Sequence, residues 1–147
     1  MKANCDDELL RQFEDCSLPL ERFRHRVHIQ IAFLYLCRYP VLDVLVRFPA
    51  ALTRYAEAHG KSGLYHETIT WAYVLLIHER MERAGQAQSW EEFTSANADL
   101  MTWSGSVLQQ YYRDETLSSD LARKIFLFPD KAPAHRCTLL PARQPLC

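Results

Sequence analysis

Apolar positions recur at three- and four-residue spacing along most of the chain, and no segment alternates apolar and polar residues for long. That pattern predicts helices. DDELLRQFED predicts a short helix over residues 6–15, after which SLP breaks the chain. Ser17 suits the cap of a second helix, Pro19 its first turn and Glu21 its positive end, and the helix should run to about Arg38. Pro40 restarts the chain, and VLDVLVRFPAALTRYAEAH predicts a third helix stopping at Gly60. Pro49 lies inside it and predicts a kink or a split. A fourth helix should span about Leu64 to Arg83 and stop at Gly85. Ser89 and Glu92 form the capping box of a fifth, to about Leu100. Shorter helices are expected over Ser106–Tyr112 and Ser118–Phe126.

After Asp130 the character changes. KAPAHRCTLLPARQPLC has three Pro, no acidic residue and no clear period. Residues 131–147 therefore read as an extended or disordered tail, or as a docking segment carrying Leu139, Leu140 and Leu146. The expected fold is all-α: one domain over residues 1–130, a compact helical bundle of four longer helices followed by short C-terminal ones.

Composition narrows the function classes. Of the 147 residues 48% are apolar and 24% charged, enough for a real core, and the formal charge of -1 gives no global basic field for nucleic acid. The five Cys form no CxxC pair, which argues against a disulfide framework or a cysteine zinc site and for a reducing compartment. The polar start MKANCDDELLRQ does not read as a signal peptide, and no apolar run reaches the ~18 residues of a membrane span. The expectation is a cytoplasmic protein.

Candidate chemistry is concentrated in two helices. In FRHRVHIQIAFLYL, His25 and His28 stand at i, i+3 and share a stripe with Ile29, Ala32, Tyr35 and Leu36. In YHETITWAYVLLI, His66 shares a stripe with Ile69, Thr70, Tyr73 and Ile77, with Glu67 one step around the helix. Neutral imidazole is the usual ligand for zinc, iron, nickel and copper. Two His at i, i+3 plus a third from a facing helix would make a three-ligand site with open positions, the catalytic rather than the structural pattern. On this reading His25, His28 and His66 hold a divalent transition metal, zinc or iron first, with nickel or copper as alternatives. Glu67 moves protons or steers a His, and Tyr65 and Thr70 position a small-molecule substrate.

Two readings compete with it. A His on an apolar stripe is often a buried group bonded to a backbone carbonyl, so the chain could be a non-catalytic helical protein that binds a ligand or partner. His66 and Glu67 could also act as an acid–base pair without metal. The other His fit these sites less well. His78 lies about 18 Å along the helix from His66 at 1.5 Å per residue, too far to share an ion. His59 sits at a helix C-terminus, and His135 is in the tail. Trp71, Tyr73, Trp103, Tyr111 and Tyr112 read as core, and Cys37 as a small buried hydrophobe. No GxSxG, GxGxxG or Walker pattern occurs. Any oligomer would be a symmetric homodimer on general grounds.

The same residues carry a resemblance. Phe23, His25, His28, Ala32, Tyr35 and Leu36 fit F-x-H-x-x-H followed by A-x-x-Y-L. Tyr65, His66, Thr68 and Thr70 fit Y-H-x-T-x-T. Tyr111, Tyr112, Leu117, Ser119, Ala122, Arg123, Pro129 and Asp130 fit a third element. Over roughly residues 20 to 130 the chain resembles a family of small bacterial proteins of unknown function. It departs where Phe33 replaces a Trp and Leu64 a Lys. The resemblance implies no reaction; it implies that the polar set chosen by spacing belongs to the family's pattern, and that His78 does not.

Overall fold

The computed structural model describes residues 2–131, with side chains from Cys5 onward. The fold is all-α. Its helices are α1 (Lys2–Glu14), α2 (His25–Arg38), α3 (Val41–Ala58), α4 (Glu67–Ala84), α5 (Trp90–Ala96), α6 (Asp114–Leu117) and α7 (Asp120–Lys124). Single 3-10 turns occupy Leu20–Arg22, Ser62–Leu64, Ala98–Leu100 and Val107–Gln110, and no strand occurs among the described residues. The tail beyond Lys131, with Cys137, Cys147 and His135, lies outside the described residues.

Helix α4 packs against α2, α3 and α7, and α1 closes the other side against α2 and α3. The core is aromatic where α1, α2 and α3 meet. Phe13 lies 5.7 Å from Phe23, 6.1 Å from Phe48 and 5.4 Å from Tyr55, centroid to centroid. Phe13, Phe48 and Tyr55 are fully buried. Rings this close add edge and stacking attraction to the area they remove from water.

The second helix starts later than the sequence pattern predicts. Leu18 is fully buried, and its carbonyl accepts a 2.8 Å bond from the Tyr55 hydroxyl. Ser17 is not a helix cap; its N–H donates to the Asp15 side chain. Anchoring Leu18 diverts the chain through a 3-10 turn, and α2 begins only at His25. His25 is thus the first residue of its helix, one turn before His28.

Pro49 does not split α3, which is a single helix of 18 residues. Proline removes one donor from the ladder. The buried face Val44, Phe48, Ala51, Leu52 and Tyr55 runs unbroken through it, so packing holds the helix together. The predicted capping box is present at Ser89 and Glu92, but α5 stops at Ala96 and the chain passes Asn97 into a 3-10 turn. Arg80 of α4 fastens that turn by pairing with Asp99 at 2.9 Å and donating to Asn97 at 2.9 Å. The segment expected as helix over Ser106–Tyr112 is a 3-10 turn, and α7 is shorter than predicted. Cys37, expected to be buried, is exposed.

The segment after α7 has no regular structure, and side chains hold it. The fully buried Thr68 donates to the Ile125 carbonyl at 2.7 Å and accepts from the Leu127 N–H at 3.1 Å. The Tyr112 hydroxyl donates to the Leu127 carbonyl at 2.8 Å. Asp130 accepts from the Arg113 N–H at the start of α6 and from the Thr116 hydroxyl.

Candidate functional site

His66 stands one residue before α4, in extended backbone, and is the helix's N-cap. Its Nδ1 accepts from the Ile69 N–H at 3.2 Å, which satisfies one of the free donors of the first turn. An Nδ1 that accepts assigns the hydrogen to Nε2. That Nε2 donates to the Leu117 carbonyl at 2.7 Å. Both ring nitrogens are therefore committed, and the ring is 7% exposed. Burial is the main cause that lowers its pKa, so it is neutral.

His25 is held in the same manner at the start of α2. Its Nε2 donates to the Leu100 carbonyl at 2.8 Å, and its ring meets Tyr73 and Trp103 at 5.3 and 5.6 Å. Burial lowers its pKa against the pull of that carbonyl. No hydrogen bond to its Nδ1 occurs among the described residues.

His28 differs from both. It is stacked on Phe23 at 5.3 Å, with Phe48 edge-on at 5.6 Å. No hydrogen bond to either of its nitrogens occurs among the described residues, and the ring is partly open to solvent. Burial among these rings, and then the neighbouring His25, lower its pKa to about 4. It is a neutral imidazole at neutral pH with uncommitted nitrogens.

These rings meet at one cavity of about 400 Å³ between the N-terminal ends of α2 and α4 and the C-terminal part of α3. His25, His28, Tyr65, His66 and Thr70 all line it, so five of the six predicted residues come together. Glu67 does not line it; it reaches the site through Tyr65, whose hydroxyl donates to it at 2.5 Å. Burial, and then Glu67, raise the Tyr65 pKa, so the phenol keeps its proton. Thr70, beside it in the lining, works against that rise.

The sequence pattern missed several members of the wall. Trp103, expected in the core, is 55% exposed and covers His25 at the cavity edge. Phe23 and Tyr55 add aromatic rings to the wall, 4.7 Å apart. Lys61 and Arg123 stand at the exposed mouth. Arg123 belongs to the resemblance motif and donates to the Gly63 carbonyl at 3.1 Å; Lys61 had no signal beyond its place after Gly60. A second cavity of about 450 Å³ shares His66, Ile69, Trp103 and Arg123 as its wall. His59 caps α3 behind Tyr55, 4.3 Å away ring to ring, and does not line either cavity.

The hydrogen bonds bear on which residues could hold a metal. His66 has no free nitrogen unless it gives up its cap and its Leu117 bond. His25 has one uncommitted nitrogen and His28 has two. Among the described residues no group of three or more His, Cys, Asp or Glu is arranged to hold a metal ion. No helix among them is long and apolar enough to cross a membrane. Comparison with known proteins gives no match: no family model, no curated protein and no solved structure is similar to the chain.

Proposed function

We propose that the cavity between α2, α3 and α4 is the binding site for a small organic molecule, and that His28 is the group that meets its polar centre. One observation carries the reading: His28 is the imidazole in the wall whose nitrogens are both unbonded among the described residues, while its ring is fixed between Phe23 and Phe48. The ring is partly open to solvent, so a ligand can bond these nitrogens by replacing water, without breaking a protein hydrogen bond. The cavity's volume falls in the range of small-molecule sites, and its lining is apolar with a few convergent polar groups.

The lowered pKa of His28 favours binding over proton transfer. A general base works best with a pKa near the operating pH. His28, at about 4, is far below that, so it serves better as a neutral donor and acceptor than as a proton shuttle. The experiment is a ligand-observed NMR screen of small aromatic and heteroaromatic fragments on wild type and His28→Phe. Phenylalanine keeps the ring packing and removes the nitrogens. Fragments that bind wild type and are lost in the variant support the reading; equal binding in both overturns the role of His28.

A second reading has one specific support. His25 and His28, one turn apart, present three uncommitted nitrogens to the same cavity, and their lowered pKa values keep them in the form that binds metal. The cavity would then be the site of a metal-dependent enzyme, with zinc or iron on His25 and His28 and with His66 joining after rearrangement.

A further inference from the structure

We infer that the ligand of this cavity is an amphipathic anion: an apolar, ring-sized body with a single acidic headgroup, carboxylate or phosphate. The inference rests on the small-molecule reading above and specifies its chemistry.

The wall combines two kinds of group. Phe23, Tyr55 and His28 supply an aromatic lining suited to a ring or branched apolar body. Lys61 and Arg123, both exposed, line the same cavity. No carboxylate lines the cavity. Glu67, the neighbouring acid, is turned to the Tyr65 hydroxyl. Neither Lys61 nor Arg123 is paired with a carboxylate among the described residues, and Arg123 uses Nη1 on the Gly63 carbonyl, with no hydrogen bond from Nε or Nη2 among the described residues. The imidazoles do not alter this balance, because they are neutral. The lining therefore carries two positive charges and no negative one.

Hydrogen-bond character agrees with this polarity. Tyr65 gives its proton to Glu67, and His25 and His66 give theirs to backbone carbonyls. What remains open to a ligand is the pair of cations, the one N–H of His28, and the acceptor nitrogens of His25 and His28. An anionic headgroup accepts from both cations and from the His28 N–H. A cationic ligand would find only neutral acceptors and would meet two like charges.

The test uses three probes of one shape class on the full chain: 3-phenylpropanoate, phenyl phosphate and 3-phenylpropan-1-ol. Affinities are read from chemical-shift titrations of the labelled protein at low salt, with shifts expected at Lys61, His28 and Arg123. At least one acid should bind about tenfold tighter than the alcohol, the size expected for charge-assisted bonds. A preference for propanoate or for phosphate identifies the headgroup. In Lys61→Gln, and in Lys61→Gln/Arg123→Gln, the acid should weaken roughly tenfold or more while the alcohol is unchanged. The single variant has no side-chain hydrogen bond to lose among the described residues, so it reports even if the double variant unfolds.

An alcohol that binds as tightly as the acids would overturn the inference and leave the small-molecule reading standing. Acid binding indifferent to both variants would also overturn it. If none of the three probes shifts any cavity resonance at millimolar concentration while the fragment screen finds ligands, the anion is wrong and the cavity is right. If the screen is empty too, both fall.

Discussion

His66 and Leu117 are 51 residues apart and joined by a 2.7 Å bond from the imidazole Nε2 to the carbonyl oxygen. The other nitrogen of the same ring caps α4 through the Ile69 N–H. One neutral ring therefore fixes the start of the central helix and the end of α6 together. His66→Ala should lose a cap, ordinarily about 1 kcal/mol, and leave the Leu117 carbonyl short of a donor, about 1–2 kcal/mol more. His66→Asn should restore the cap share and not the rest. Urea unfolding of the three proteins measures both shares; equal losses in the two variants would show that the cap contributes nothing.

Thr68 fastens the segment after α7 in a similar way, donating to Ile125 and accepting from Leu127 through one buried hydroxyl. Thr68→Val keeps the shape and removes both bonds. The expected loss is about 1–3 kcal/mol, since two backbone groups are left unsatisfied. Amide exchange at Leu127 should accelerate well beyond any change in the core of α4. Uniform acceleration would mean that the segment does not open locally.

Where the sequence was legible, a local pattern decided the outcome. The capping box at Ser89 and Glu92, the stop at Gly85 with its left-handed backbone, and the apolar stripes of α2 and α4 depend on residues within a turn or two of each other. The all-α fold and the convergence of His25, His28 and His66 on one cavity followed from those stripes. The start of α2 was not legible, because it is set by the bond from Tyr55 to the Leu18 carbonyl across 37 residues. Helical spacing alone carries α3 through Pro49, but that packing outweighs the lost donor there is a tertiary fact.

At the site, spacing identified imidazoles without showing what each nitrogen does. That His66 is spent on a cap and a carbonyl depends on where Leu117 lies. Thr68, Tyr112 and Asp130 fall in the resemblance motifs with no role assigned, and each holds the backbone of the C-terminal segment or its neighbour. Trp103 looked like core because an aromatic in an apolar context usually is; it lies instead on a loop, over His25.

The metal question has a direct measurement. With His66 committed at both nitrogens, the pair His25 and His28 offers two ligands, and a two-imidazole site is weaker than a three-imidazole one. Protein purified without chelator should carry far less than one equivalent of zinc, iron, nickel or copper by elemental analysis. Near-stoichiometric metal in wild type, lost in His28→Phe, would instead establish the metal-dependent reading. A His66 signal that loses its Leu117 bond on zinc titration would show how the third ligand arrives.

The pH dependence of stability tests the state of His28. Its folded pKa is about 4, against an ordinary value of 6.5. Between these values the unfolded chain binds a proton on His28 and the folded chain does not, so stability rises with pH across that interval and levels off above it. His25 and His66, also lowered by burial, act with the same sign. The carboxylates of Asp99 and Asp130 are held below their ordinary 3.8, so their share is lost at lower pH, outside this window. His28→Phe removes the group while keeping the contacts with Phe23 and Phe48. Its unfolding should take up about one proton fewer near pH 5, and its stability should fall less on acidification from pH 7 than that of wild type. Unfolding free energies of the two proteins from pH 4.5 to 7.5 measure the difference directly. Parallel curves would mean that His28 titrates normally in the folded protein, and the case for a neutral, ligand-seeking imidazole in the cavity would be lost.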